Sequence, residues 1–239
     1  MGDVVWAQVR SGAGRLVERP VGELRRERLE LQDPVWQPER YRGRRAIATW
    51  WRLADQARHV GCGTLRALEA ALSMEFDPQV VTFAAWPVRL TWAGGDPGCV
   101  PDFFVRLADG QAMLLVCRPG DGTGSRWAQT LELLEAAGRQ ADWRIRVFDG
   151  AEDAVVARNR QRLSQWRHAR LRDADTARIL HQVFARPQPV TEGVRASDLP
   201  ELPTMARALH LIWSRELLID WAKPFVPTRS LVWSPMGAP

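Results

Sequence analysis

The chain has 239 residues, of which 46% are hydrophobic and 26% are charged, a composition typical of a globular protein. No apolar run reaches the roughly 18 residues that a membrane-spanning helix needs, so we expect no contact with a membrane. The formal net charge is +5 and the pI is about 10.0, which favours an anionic partner such as nucleic acid.

The three cysteines, Cys62, Cys99 and Cys117, are an odd number and show no CxxC spacing. This pattern argues against a disulfide framework and against a structural zinc site. Residues 1–15 contain no apolar segment of signal-peptide length. We therefore expect a reducing, cytoplasmic location.

The basic residues number 33, and only Lys223 among them is a lysine. A GC-rich genome accounts for such a bias, and so does the recognition of phosphate by guanidinium groups. The two explanations are compatible, and composition alone does not separate them.

Residues 1–60 are predicted to form an N-terminal arm or a strand pair. They contain a short apolar segment at 4–9 and a stretch rich in arginine and glutamate at 23–28. Nothing in this region marks a clear domain boundary.

A helix is predicted over 64–75, with Thr64 as its N-cap, an apolar face that includes Leu65 and Leu72, and an end at Asp77-Pro78. Strands are predicted at 80–84 and 88–92, interrupted at Trp86-Pro87, and a turn cluster at 94–98. Further strands are predicted at 103–107 and 112–117, joined by a hairpin turn at 108–110.

The second half of the chain alternates helices with short strands. The predicted elements are a helix over 126–137 closed by Gly138, a strand over 143–148, an arginine-rich helix over 154–170, a helix over 174–184, a polar proline-rich segment over 187–203, a helix over 205–213, a short apolar element over 217–221 and a strand over 230–233. Residues 173–239 are therefore predicted to form a small winged-helix-like module.

The order of elements between residues 62 and 119 is that of a metal-dependent nuclease of the restriction-enzyme type. Such an enzyme needs a helix carboxylate, an acid at the start of a strand, and an acid-x-lysine on the adjacent strand. The carboxylates hold Mg²⁺ through oxygen ligands, the metal generates hydroxide, and the lysine stabilises the developing charge. Asp102, which follows Pro101 at a predicted strand start, matches the second requirement.

The chain resembles the TnsA-like endonuclease subunits of heteromeric transposases. The matching segments are 75–78, 87–92, 100–105, 109–110, 118–119, 136–143, 159–168 and 209–224. Together they cover roughly residues 60–235, and their order and spacing carry the resemblance. It implies an α/β fold with a restriction-endonuclease-like, PD-(D/E)xK mixed sheet flanked by helices over residues 61–172.

The resemblance also implies a site, which this chain matches only in part. The helix glutamate of the family falls on Ala67, the strand acid on Val116 and the lysine on Arg118, while Asp102 is retained. Glu69 is a candidate relocated ligand, although it lies about 200° around the helix from Ala67. The candidate catalytic set is therefore Asp102, Glu69 and Arg118, with Asp102 and Glu69 as candidate ligands of Mg²⁺ or Mn²⁺.

Each of these residues also has a structural interpretation. Asp102 could be a strand-start aspartate that bonds nearby backbone groups, Arg118 could form an ion pair with Asp102, and Glu69 could be a solvated helix residue. The arginines at 158–172 are candidate DNA contacts or a solvated face. The candidate DNA-binding residues are Arg158, Arg160, Arg162, Arg167 and Arg170.

Three functions remain open at this stage. The first is a non-catalytic DNA-binding and assembly subunit, which the Ala67 and Val116 positions favour and which needs no cofactor. The alternative is an active Mg²⁺-dependent endonuclease that cuts DNA at transposon ends. In both cases the resemblance implies an integrase-fold transposase subunit as a partner, with an ATPase regulator as a further candidate. A nuclease fold used in regulation or phage defence is the third alternative.

Overall fold

The computed structural model describes residues 4–38, 48–54, 56, 58–120, 124–150 and 153–235. Residues 1–52 and 58–150 form one compact unit, unit 1, and residues 53–57 and 151–239 form a second, unit 2. The described residues form six α-helices and four β-sheets, which confirms a mixed α/β fold. None of these helices is both long and apolar enough to cross a membrane.

The first sheet of unit 1 contains the N-terminal strands. It consists of β1 (Val5–Arg10), β2 (Leu16–Pro20), β6 (Arg89–Trp92) and β7 (Gly95–Cys99), in the antiparallel order β2-β1-β6-β7. Alternate residues of β1 are buried, so one face of this sheet packs on the core. The N-terminal segment therefore contains the strand pair β1–β2 and clusters with unit 1.

The predicted turn cluster at 94–98 is wrong, because Gly95–Cys99 is a strand that pairs with β6. The turn falls at Ala93 and Gly94 instead. A Cβ at Gly98 would lie 2.8 Å from the Leu90 carbonyl oxygen, so glycine here permits the close approach of two strands. A small separate ladder pairs β3 (Thr49–Arg52) with β4 (His59–Cys62).

The central sheet of unit 1 follows the helix α1 (Leu65–Phe76) in the chain. Its strands are β5 (Val80–Ala85), β8 (Phe103–Leu107), β9 (Ala112–Cys117) and β10 (Arg144–Phe148), in the order β10-β9-β8-β5. The pairs β5·β8 and β8·β9 are antiparallel, and β10 is parallel to β9. The predicted strands at 103–107 and 112–117 are confirmed, with Gly110 at a φ of 82° in the hairpin turn between them.

Helix α1 begins and ends where the sequence predicts. The Thr64 hydroxyl accepts a hydrogen bond from the Ala67 amide at 3.0 Å, and the helix stops at Asp77. The predicted apolar face is partly wrong, because Leu65 is 59% exposed. The buried residues of this helix are Ala67, Ala70, Ala71, Leu72, Ser73 and Met74.

Helix α2 (Ser125–Ala141) runs past the predicted end at Gly138. A Cβ at Gly138 would lie 2.8 Å from the Trp143 carbonyl oxygen, so this glycine accommodates the returning chain inside the helix. The helix ends instead at Asp142, whose φ of 57° is left-handed. Trp143, Ile145 and Val147 pack on the core, which confirms the predicted face of β10.

Unit 2 contains four helices and a small sheet among its described residues. They are α3 (Ala154–Leu163), α4 (Ala174–Val183), β11 (Gln188–Pro189), α5 (Val190–Ala196), α6 (Glu201–Trp213), β12 (Leu218–Ile219) and β13 (Leu231–Trp233). The sheet order is β11-β13-β12 and both pairs are antiparallel. The predicted boundaries at residues 60 and 172 thus differ from the division into units 1 and 2.

Three predictions in unit 2 need correction. The arginine-rich helix ends at Leu163 and is followed by short 3-10 turns. The Ser164 hydroxyl donates a hydrogen bond to the Gln161 carbonyl and so competes with the backbone hydrogen bonds that would continue the helix. The proline-rich segment contains β11 and α5. Helix α6 begins at Glu201 because Pro203 lies in the first turn, where no intrahelical N–H bond is required.

Candidate functional site

Asp102 directly precedes β8 and links that strand to the end of β9. Its Oδ2 accepts a hydrogen bond from the Cys117 amide at 2.7 Å, and its carbonyl accepts one from the Trp86 amide at 3.2 Å. Burial raises the pKa of the Asp102 carboxyl, although the hydrogen bonds from Cys117 act in the opposite direction. Asp102 therefore does bond backbone groups, as the structural interpretation predicts.

The three cysteines are free thiols. The negative charge of Asp102 contributes to raising the pKa of each of them. Burial raises the pKa of Cys62 and of Cys99 to about 12, with a smaller contribution from Asp102 in each case. Burial and the neighbouring Asp102 also raise the pKa of the Cys117 thiol. These thiols remain protonated at neutral pH and act as small apolar residues, not as nucleophiles.

The position opposite Asp102 holds a buried apolar side chain. Phe103 pairs with Leu115, and continuing this register by one residue places Asp102 opposite Val116. Val116 is 8% exposed and belongs to the main core of unit 1. Ala67, where the resemblance expects the helix glutamate, is fully buried. Two of the three expected acid positions therefore carry no oxygen ligand.

Glu69 is half-buried on α1 and points toward the end of β10. A Cβ at Gly150 would lie 3.4 Å from Glu69 Oε2 and 3.7 Å from Arg66 Nε. In the sheet order, β10 is separated from the strand that follows Asp102 by β9. Among the described residues, no group of three or more His, Cys, Asp or Glu side chains could hold a metal ion. Asp102 and Glu69 therefore belong to no such group.

Arg118 has a different partner from the one that the sequence suggested. Its Nε donates to Asp149 Oδ1 at 2.6 Å, so the predicted ion pair with Asp102 is wrong. Cys117 pairs with Phe148 in the parallel β9·β10 register, and the next residues, Arg118 and Asp149, are consequently neighbours. This hydrogen bond raises the pKa of Arg118.

Further contacts hold Arg118 in place. Its guanidinium lies 5.6 Å from the centre of the Trp127 ring, and its carbonyl accepts a hydrogen bond from Arg66 Nη1. Arg66, Glu69, Arg118 and Asp149 together form a charge-balanced cluster at the carboxyl ends of β9 and β10. Sequence reasoning missed Asp149, whose position one residue after β10 was the available signal.

Trp86, at the position of the family's glutamine before Pro87, is a second residue that sequence reasoning did not connect to the site. It is 3% exposed and has a φ of 51°, a conformation that bulky residues rarely adopt. Its ring lies against Gly61 and Gly63, where added side chains would meet it. Trp86 therefore bonds the Asp102 carbonyl through its backbone amide and packs its ring on β4 and the glycine that follows it.

The candidate DNA-binding arginines lie in unit 2 but not on one helix face. Arg158, Arg160 and Arg162 are on α3, whereas Arg167 and Arg170 follow the end of that helix. On α3, Arg158 and Arg162 share a face because they are four residues apart, and Arg160 points elsewhere. The predicted continuous arginine face is therefore divided.

Comparison of the sequence with protein-family models and with curated proteins finds no match.

Proposed function

We propose that this chain is a DNA-binding and assembly subunit of a heteromeric transposase, with the fold of a TnsA-like nuclease but without its metal-dependent cleavage. The observation that carries the proposal is Val116. It lies opposite Asp102, where a strand acid would complete a metal site, and it is buried in the core. A lone carboxylate that already accepts a hydrogen bond from Cys117 is a poor ligand set for Mg²⁺.

The order of elements in unit 1 supports the nuclease-like part of the proposal. Helix α1 is followed by the antiparallel strands β5, β8 and β9, then by α2, and then by β10 parallel to β9. This mixed sheet with helices is the arrangement that the resemblance implies. Asp102 stands at the start of β8 and Arg118 immediately after β9, at the strand ends that the motif specifies.

The element order of unit 2 supports a winged-helix-like module. Helix α4 is followed by β11, by α5 and α6, and then by β12 and β13, with β13 in the centre of the small sheet. An integrase-fold transposase subunit and an ATPase regulator are the partners that we propose for the assembly, and the cytoplasm is the location.

The alternative function is an active endonuclease, and one observation favours it. Glu69 Oε2 approaches Gly150, immediately after β10, and Arg66 on the same helix bonds the Arg118 carbonyl. A carboxylate of α1 thus reaches the strand ends where the cleavage chemistry would take place, although it is not one of the positions that the family uses.

Calorimetric titration of Mn²⁺ into the purified protein separates the two functions. We expect no saturable binding at millimolar metal, and Asp102→Ala should give the same trace as the unmodified chain. Saturable binding that Asp102→Ala abolishes would overturn the non-catalytic proposal. Glu69→Gln would then show whether Glu69 is the second ligand.

A further inference from the structure

The loop between β12 and β13 is fastened to α3 by two α3 side chains. Asn159 is buried, with 2% of its surface exposed. Its Nδ2 donates to the Trp221 carbonyl at 3.1 Å and to the Lys223 carbonyl at 2.8 Å. Its Oδ1 accepts a hydrogen bond from the Phe225 amide at 2.9 Å. Arg162 Nη1 donates to the Phe225 carbonyl at 2.8 Å. Helix α3 and this loop therefore present their exposed residues side by side.

Four cations are exposed on these two elements, and we call them the α3–loop surface: Arg158, Arg162, Lys223 and Arg229. Lys223 pairs with Asp220 at 3.0 Å. Arg158 and Arg229 form no ion pair with any residue that the structure describes, and Arg162 bonds only a neutral carbonyl. Since segment 154–172 contains six arginines and no Asp or Glu, its own acids cannot neutralise this surface.

Three other arginines of unit 2 have acidic partners, whereas the exposed Arg170 and Arg186 form no ion pair with a described residue. The pairs are Arg178 with Asp175 at 3.7 Å, Arg195 with Glu201 at 3.9 Å, and Arg207 with Asp173 at 3.1 Å. The α3–loop surface combines two exposed arginines without an acidic partner, Arg158 and Arg229, on two elements that Asn159 and Arg162 hold together. A repeating polyanion is the partner whose charge complements it.

Helix α6 is poorly suited to the same task. In helix-turn-helix proteins a recognition helix enters the major groove and must expose one face. Here, every residue from Ala208 to Trp213 is buried. Arg207 donates to Thr176 Oγ1 at 2.7 Å and pairs with Asp173, while Glu201 places an acid at the exposed start of the helix. The charged side chains of α6 therefore offer little electrostatic attraction to the phosphates of a DNA backbone.

We infer that the α3–loop surface makes the contacts of unit 2 with the phosphate backbone of double-stranded DNA, and that α6 is a structural helix. This inference rests on the proposed function and names the surface that performs it. Guanidinium and ammonium contacts to phosphates position a duplex without reading its sequence. The loop that Asn159 holds against α3 provides cations from two chain segments to one stretch of backbone.

The test is fluorescence anisotropy with a labelled DNA duplex of arbitrary sequence, measured over a series of KCl concentrations. The variant is the double substitution Arg158→Ser with Arg229→Ser. The matched control is Arg186→Ser, which removes an exposed arginine between α4 and β11 that has no ion pair with any described residue. Circular dichroism and thermal melting verify that all three proteins are folded.

We expect the double variant to bind roughly tenfold more weakly, with a slope of log affinity against log salt that is smaller by about 2. Arg186→Ser should bind like the unmodified chain. If the unmodified chain and the double variant bind the duplex equally well, the inference that the α3–loop surface contacts DNA is overturned, while the proposed DNA-binding function stands. If the unmodified chain binds no duplex at low salt, the proposed function fails as well. The same titration is made with an RNA duplex. If the double substitution weakens binding to RNA but leaves binding to DNA unchanged, DNA is overturned as the ligand of this surface.

Discussion

The arginines of unit 1 and the arginines of the α3–loop surface have opposite surroundings. In unit 1, Arg106 Nη2 lies 3.0 Å from Glu30 Oε2, and Arg118 pairs with Asp149. In unit 2, Arg158 and Arg229 are exposed and have no described acidic partner. One compositional bias therefore serves two purposes, since guanidinium groups stabilise the fold in one region and leave charge available for a partner in the other.

The buried carboxylate of unit 1 shows the structural use most clearly. Glu30 is 1% exposed and also accepts from Arg28 Nε at 3.3 Å. Arg58 donates to the Glu30 carbonyl and to the Phe83 carbonyl, both at 2.7 Å. Burial lowers the pKa of Arg58, because desolvation disfavours its charged form. These bonds hold residues 29–31 against the central sheet.

The largest expected effect comes from breaking this buried network. Glu30→Ala should lower the free energy of unfolding by about 3–5 kcal/mol, because it leaves the largely buried Arg106 guanidinium without its counter-charge. Urea denaturation measures the change. Glu23→Ala, which removes an exposed partner of Arg19, is the control and should change stability by about 1 kcal/mol or less. Equal effects of the two substitutions would contradict the distinction between buried and exposed pairs.

The second-largest expected effect comes from removing the hydrogen bonds between α3 and the loop that joins β12 to β13. Asn159→Leu keeps the branched shape of the side chain but removes its three hydrogen bonds to the loop. We expect a loss of about 2–3 kcal/mol in the free energy of unfolding. Gln161→Leu, at an exposed position of the same helix, serves as the control in the same denaturation experiment. A loss no greater than that of the control would mean that Asn159 does not hold the loop.

A smaller effect tests the environment of Asp102 through pH. Burial raises its folded-state pKa above the unfolded value, so the folded protein binds more protons than the unfolded chain between these two values. The contribution of Asp102 to stability is therefore greatest at pH below the unfolded pKa and falls as pH rises through the folded pKa. Relative to the unmodified chain, Asp102→Asn should become more stable as pH increases from about 4 to 7. Denaturation midpoints across this range give the answer, and a difference independent of pH would contradict a raised pKa.

The smallest expected change in stability is that of Arg158→Ser. Since Arg158 is exposed and forms no ion pair with a described residue, its removal should change the free energy of unfolding by less than about 0.5 kcal/mol. Thermal melting at low ionic strength is the measurement. A loss of more than about 1 kcal/mol in the free energy of unfolding would show that Arg158 has a structural role, and the contrast with the arginines of unit 1 would not hold.

The sequence determined the elements whose signals are local. Strands β8 and β9 lie at their predicted positions because two apolar runs are joined by a turn with Asp109 and Gly110. Thr64 and Asp77 mark the ends of α1 for similarly local reasons. The sequence also placed Asp102 directly before a strand.

Contacts between distant segments determined the rest, and only the tertiary structure shows them. Helix α2 continues through Gly138 because Trp143 packs against it, and Arg118 pairs with Asp149 because two parallel strands bring residues 31 positions apart together. Helix α6 has an ordinary sequence, but other helices of unit 2 cover it. An arginine stabilises the fold where folding places a carboxylate or a carbonyl beside it, as at Arg106, Arg58 and Arg162, and no local pattern encodes that distance.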